Sequence, residues 1–113
     1  MRIYLAGPMR GKPGLNHAAF DRYAAMLRTY GHDVHSPAEM DRARNVDPSV
    51  EPSEMVVRAL LRAGISRLID PSTEAIALMP GWEHSGGSWL EYEIAEAIGL
   101  QIIKLEPLPD HEP

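Results

Sequence analysis

A chain of 113 residues with 44% hydrophobic and 24% charged residues describes one folded domain with a single core, and excludes a disordered chain. Its formal net charge of -5 excludes a surface built to coat nucleic acid, while one arginine and a few backbone N–H groups could still hold a small phosphorylated ligand. The absence of cysteine excludes disulfides and thiolate metal sites, and the five histidines lack paired ligand spacing, so no metal is expected.

"RIYLA" (2–6) is a short apolar run closed by Gly7-Pro8 and reads as a buried strand. The loop "MRGKPG" (9–14) follows it. Asn16 is placed to cap a helix over 17–30, where Ala19, Phe20, Tyr23, Ala24 and Leu27 recur at helical spacing, and Gly31 stops it. "DVHSP" (33–37) reads as a second strand closed by Pro37. The polar stretch 38–52, with Pro48 and Pro52, reads as an irregular excursion. Ser53 then caps a helix over 54–69 whose apolar side holds Met55, Val56, Ala59, Leu60, Ala63 and Leu68, with Gly64 a point where its regularity could fail. "EAIALMP" (74–80) reads as the third strand and 85–98 as the last long helix, ended by Gly99. On that helix Leu90, Ile94, Ala97 and Ile98 share a face expected to meet the sheet. "LQIIKLE" (100–106) reads as the final strand, and 107–113 as a loose tail. No apolar run approaches the ~20 residues of a membrane span and no signal-peptide pattern opens the chain, so a cytoplasmic location is expected.

Strands alternating with helices predict a parallel sheet with helices on both faces. The expected fold is a single-domain α/β three-layer sandwich over 1–106, Rossmann-like or flavodoxin-like, with strands over 2–6, 33–36, 74–79 and 101–105. Ligands of such sheets bind beyond the C-terminal ends of the strands. "GPMRG", "SPAEMD" and "PGWEHSGGS" all fall on that rim.

The turn Gly7-Pro8-Met9-Arg10-Gly11 reads either as a tight turn with a solvated arginine or as an anion cradle in which Arg10 grips phosphate by a bidentate fork. It has neither Walker lysine spacing nor a GxGxxG pattern. Ser85, Gly86, Gly87 and Ser88 open the last helix, where unpaired N–H groups favour an anion, although Ser85 could equally be a plain cap. Of the glutamates that follow, Glu96 lies opposite the apolar face, while Glu91 and Glu93 border it on either flank, so periodicity does not choose between them. Only Glu91 also lies near the ligand rim. Trp82 is suited either to stack on a base or sugar or to pack over the sheet edge.

Taken together, "IYLAGP" and "GSWLEYEIAEAIG" resemble the nucleoside 2-deoxyribosyltransferase superfamily, whose last helix carries a G-x-x-x-E-x-x-x-A-x-x-x-G run matched by Gly87, Glu91, Ala95 and Gly99. Through "AGPMRG", "GHDVHSPAEM" and "LMPGWEHSGGSWLE", the chain is closer to small phage and bacterial proteins of the DUF4406 type. The resemblance implies that Glu91 attacks the anomeric carbon of a deoxyribosyl group and that Tyr4 orients it. A carboxylate suits an oxocarbenium-like transition state and can hold a covalent glycosyl intermediate.

The 2'-deoxynucleoside 5'-monophosphate N-glycosidase branch has a Gly-Ser-x-Arg-Gly turn that "GPMRG" is similar to, with Pro8 in place of serine. Ser85 resembles that branch's phosphate-side serine. The implied function is therefore hydrolysis of the N-glycosidic bond of a (deoxy)nucleoside 5'-monophosphate, without cofactor and in a homodimer. The implied contacts are Gly7, Arg10, Gly11, Trp82, Ser85, Gly87 and Ser88. Transfer of deoxyribose between bases, and a non-catalytic nucleotide-binding or sensing module, are the alternatives. The chain departs from the superfamily in its acid: Ser66 stands where an aspartate is usual, with Asp70, Glu74 and Asp41 the nearest acids.

Overall fold

The computed structural model describes residues 1–109. Its centre is a four-stranded, all-parallel sheet in the order β2-β1-β3-β4, made of β1 (Arg2–Ala6), β2 (Asp33–His35), β3 (Ala75–Leu78) and β4 (Gln101–Lys104). The strands and their parallel pairing are those expected from the sequence. β1 and β3 occupy the middle because both are continuous apolar runs, as a strand covered on two faces must be.

Side chains alternate across the sheet and build two cores. Ile3, Leu5, Ala75 and Ala77 face α1 (His17–Thr29), packing with Phe20, Tyr23, Ala24 and Leu27. Tyr4, Ala6, Ile76 and Leu78 face the opposite layer, made by α3 (Glu54–Leu68) and α4 (Gly86–Ala97), packing with Leu68, Trp82 and Ala95. The result is the expected three-layer sandwich.

Four local expectations are corrected. Asn16 does not cap α1 with its side chain, because its backbone is left-handed at φ 61° and its Nδ2 donates to the Pro8 carbonyl at 2.8 Å. The amide thus fastens the loop after β1 to the start of α1. Residues 38–52 are not wholly irregular: α2 (Pro37–Ala43) opens them, with Pro37 in the first turn, where its missing N–H costs nothing. This polar helix is held by partners on α1 that are distant in sequence. His17 Nε2 meets Asp41 Oδ2 at 2.9 Å in a buried contact, and exposed pairs join Arg42 to Asp21 at 2.7 Å and Arg28 to Glu39 at 2.6 Å.

The third correction concerns the outer helices. Leu90, Ala97 and Ile98 do not meet the sheet but are exposed, and Ile94 is half-buried. Ser88, Glu91 and Ala95 turn inward instead. Tyr4 and Trp82 already fill that layer, so only small residues and the partner of Tyr4 fit beneath α4. Likewise Met55 and Val56 of α3 are exposed, while Gly64 and Leu68 are buried. Ser53 does cap α3, its Oγ accepting from Val56 N–H at 3.3 Å, and Gly64 leaves the helix unbroken.

Fourth, the tail is tied down through Pro109. Tyr23 donates its hydroxyl to the Glu106 carbonyl and accepts from Leu108 N–H, and Arg22 donates to the Pro109 carbonyl. The rest of the expected tail, 110–113, lies outside the described residues. Among the described residues no helix is long and apolar enough to cross a membrane.

Candidate functional site

The parallel sheet sends the loops after β1, β2 and β3 to one rim. The first of them leaves β1 against the end of β3. A Cβ on Gly7 would lie 2.8 Å from Met79 Cβ, so only glycine allows the backbone this close. Past this point Arg10 and Gly11 are exposed, and Arg10 forms no ion pair among the described residues.

Tyr4 and Glu91 meet beneath α3. The Tyr4 hydroxyl donates to Glu91 Oε2, joining β1 to α4 across the layer. Tyr4 is 1% exposed and Glu91 8%. Glu93 and Glu96 are exposed, Glu96 accepting from Tyr92 hydroxyl at 2.8 Å. The choice that periodicity left open between Glu91 and Glu93 is therefore settled for burial: Glu91 is the inward one.

Gly64 is the roof of this pair, a role beyond the possible break in α3 that its residue type suggests. A Cβ there would lie 2.6 Å from the Tyr4 hydroxyl oxygen and 3.3 Å from Glu91 Oε2. Glycine inside a helix costs about 1 kcal/mol against alanine, so its presence in mid-helix was the available signal of a packing demand. His35 was also missed. Its ring stacks on Tyr4 at 5.2 Å and 25°, and its buried Nε2 has no hydrogen-bond partner among the described residues.

Burial sets the ionisation of this cluster. Loss of solvent pushes the Glu91 carboxyl up to about 7, and the Tyr4 hydrogen bond opposes the rise by favouring the carboxylate. Tyr4 is raised well above an ordinary phenol, by burial first and by the Glu91 charge second. His35 is lowered by burial and then by the positive charge of Arg67, which favours its neutral form.

The other expected contacts divide. Trp82 is packed, the second of its two readings: it stacks on Trp89 at 5.4 Å and 8°, meets Tyr92 at 4.7 Å, and carries Lys104 Nζ over its ring at 5.9 Å. Ser88 is buried and donates its hydroxyl to the Trp82 carbonyl at 2.9 Å, so it locks the turn before α4. Ser85 makes no side-chain bond to the first turn of α4, and Gly87 is exposed.

The acids considered for the leaving base are engaged elsewhere. Asp41 binds His17, Asp70 accepts from Ser72, and Glu74 accepts from Arg2 N–H. Ser66 is exposed on α3. Among the described residues no group of three or more His, Asp or Glu side chains is arranged to hold a metal.

A family model described as Domain of unknown function (DUF4406) matches residues 1–104, and the chain belongs to that family. No curated protein and no solved structure gives a significant match to the chain.

The roof can be tested by filling it. Gly64→Ala is expected to destabilise the fold by about 1–3 kcal/mol, the usual cost of overpacking. On a Tyr4→Phe background the cost should fall by about 1 kcal/mol or more, since the struck oxygen is gone. Equal costs in chemical denaturation of both backgrounds would show that Gly64 does not seat this hydroxyl.

The ionisation of Glu91 also carries a stability signature. Its carboxyl titrates at about 7 when folded and near the ordinary 4.5 when unfolded, so the folded state holds the proton more tightly. That contribution is complete below about 4.5, declines as pH rises, and is lost above about 7. Glu91→Gln, which cannot ionise, should therefore gain on the wild type across this window by up to about 3 kcal/mol. Denaturation of both proteins at several pH values measures it, and a pH-independent difference would contradict a raised Glu91.

Proposed function

We propose that this DUF4406 domain hydrolyses the N-glycosidic bond of a (deoxy)nucleoside 5'-monophosphate, with Glu91 as nucleophile and Tyr4 as its positioning residue. The observation that carries the reading is the buried Tyr4–Glu91 contact between the middle of β1 and α4. A Glu91 oxygen attacks C1' of the sugar, the bond to the base nitrogen breaks, and its electron pair leaves with the base, which takes up a proton. Water then attacks C1', releasing the sugar phosphate and restoring Glu91, while the water's second proton passes to solvent. The poorly solvated carboxylate lies close to the positive charge that develops on the sugar ring, where low dielectric strengthens the attraction. The Tyr4 hydroxyl holds one oxygen and leaves the other for attack.

Arg10 and the N–H groups of Gly11 and of the start of α4 are the proposed phosphate contacts. They are cationic or N–H donors in a chain of net charge -5. No metal or organic cofactor enters this scheme. Transfer of the deoxyribosyl group to a second base shares the first step. The non-catalytic nucleotide-binding reading is favoured by a specific observation, the engagement of Asp41, Asp70 and Glu74 with other partners, which leaves none of them to protonate the base.

Base release separates these readings. Glu91→Gln should fold, still bind nucleotide, and lose base release at least about a thousandfold, the scale on which removal of a nucleophile acts. Glu93→Gln and Glu96→Gln should keep wild-type rates, and the wild-type rate should climb with pH through about 7 as Glu91 ionises. Arg10→Ala should weaken the monophosphate by about 1.5–3 kcal/mol and leave the free nucleoside unaffected. Near-normal turnover by Glu91→Gln would refute the nucleophile. A wild type that releases no base from any nucleotide, with or without an acceptor base, would leave the binding module.

The proposed assembly is a cytoplasmic homodimer paired through α3 and α4. Met55 is 80% exposed, Leu90 41% and Ile98 50%, and a groove of about 530 Å³ is lined by Met55, Ala59 and Ala63 together with Arg44, Arg58 and Arg62. Light scattering after size exclusion should give twice the monomer mass, and Met55→Glu with Leu90→Glu should give a folded monomer. A wild type that stays monomeric at micromolar concentration would exclude the pairing.

A further inference from the structure

The phosphate loop already holds an anion that belongs to the chain. Gly11 N–H donates to Glu51 Oε1 at 2.9 Å, across 40 residues. The turn itself closes without this amide, through Lys12 N–H on the Met9 carbonyl at 3.2 Å, and Gly11 lies in the left-handed region at φ 79°. Arg10, beside it, forms no ion pair among the described residues. One carboxylate thus sits on one of the donors that the loop offers, and the Arg10 guanidinium next to it stays open.

The segment that delivers Glu51 runs from the end of α2 to the start of α3, over 44–53. All of it is exposed except Val46 and Pro52, which are half-buried. Its other hydrogen bonds over 47–52 are local: Ser49 binds Asp47 through N–H and hydroxyl, and Val50 N–H meets the Asp47 carbonyl. Among the described residues, the Glu51–Gly11 bond is the one hydrogen bond that fastens this stretch to the rest of the fold. Breaking it would free the stretch without disturbing either core.

We propose that Glu51 is a tethered competitor for the phosphate, occupying its place on Gly11 in the free protein so that the 47–52 segment must lift for a 5'-monophosphate to bind. The inference rests on the reading of this loop as the phosphate subsite. A single N–H cannot serve a carboxylate and a phosphate oxygen in the same direction, and two anions at that distance repel. The phosphate has the advantage of also engaging Arg10. A free nucleoside lacks the group that displaces Glu51 and meets the segment closed.

Binding of 2-deoxyribose 5-phosphate, with 2-deoxyribose as the phosphate-free control, tests this by calorimetry without depending on the base. Glu51→Ala should bind the sugar phosphate about tenfold more tightly than wild type, the factor by which a site open one-tenth of the time underbinds its ligand. It should not change binding of the free sugar. Glu54→Ala, which removes the same charge three residues later from a pair with Arg58, should leave both affinities as in wild type.

If the wild type binds the sugar phosphate and Glu51→Ala binds it no better, the competitor is refuted and the phosphate subsite stands. An equal gain in Glu54→Ala would refute it too, by reducing the effect to net charge. If neither wild type nor Glu51→Ala binds the sugar phosphate, the phosphate reading of the loop falls and the competitor with it. Base release through Glu91 is then judged separately on free nucleosides.

Discussion

A carboxyl group taken out of water beside a phenol is costly unless each partner satisfies the other, and the Tyr4–Glu91 pair does this between a central strand and an outer helix. The requirement propagates outward. β1 must lie inside the sheet to carry Tyr4 into the layer, α4 must turn a glutamate toward the core, and α3 must pass close enough to shut out solvent. Gly64 is where that last demand becomes a residue type, because any side chain would strike the hydroxyl. The same closeness withholds water from Glu91 and lifts its carboxyl toward neutrality, so packing and acidity have one origin.

Around this pair opposite charges are divided between a buried helix position and an exposed loop. Glu91 is held inward and proton-retentive, while the loop after β1 presents an exposed arginine beside an amide that Glu51 occupies. The proposed reaction asks for such a division, with a cation developing at one end of the ligand and a phosphate at the other. It also explains how an acidic chain can be read as taking an anionic substrate: local donors, rather than net charge, govern a contact at hydrogen-bond distance.

The outer layer is assembled against its own hydrophobic pattern. In α4 the small residues Ser88 and Ala95 go inward because Tyr4 and Trp82 occupy the volume, and the larger Leu90 and Ile98 are left outside. Ser88 gains a second function there, its hydroxyl tying the Trp82 carbonyl and so fixing the turn that starts the helix. Apolar side chains displaced to the surface in this way lie on both α3 and α4, on the face where a second copy is proposed.

Local sequence determined the order of the strands and the three long helices, the parallel sheet and strand limits to within one residue, because apolar runs of this length between helical periods have few other ways to hide from water. It also marked the rim loops, since Gly and Pro interrupt the chain there. Periodicity alone left the inward glutamate open, because Glu91 and Glu93 flank the same stripe. The place of Glu91 near the helix start and the family resemblance pointed to it, and Tyr4, 87 residues away, is the contact that holds it inward. Helix α2 was invisible because its polar residues are held by His17, Asp21 and Arg28 of another helix rather than by an apolar face of its own. The inward face of α4 and the meaning of Gly64 were likewise decided by tertiary structure. Which stripe of a helix is buried depends on the volume its neighbours leave open, and that volume exists only after the sheet and both helices have met.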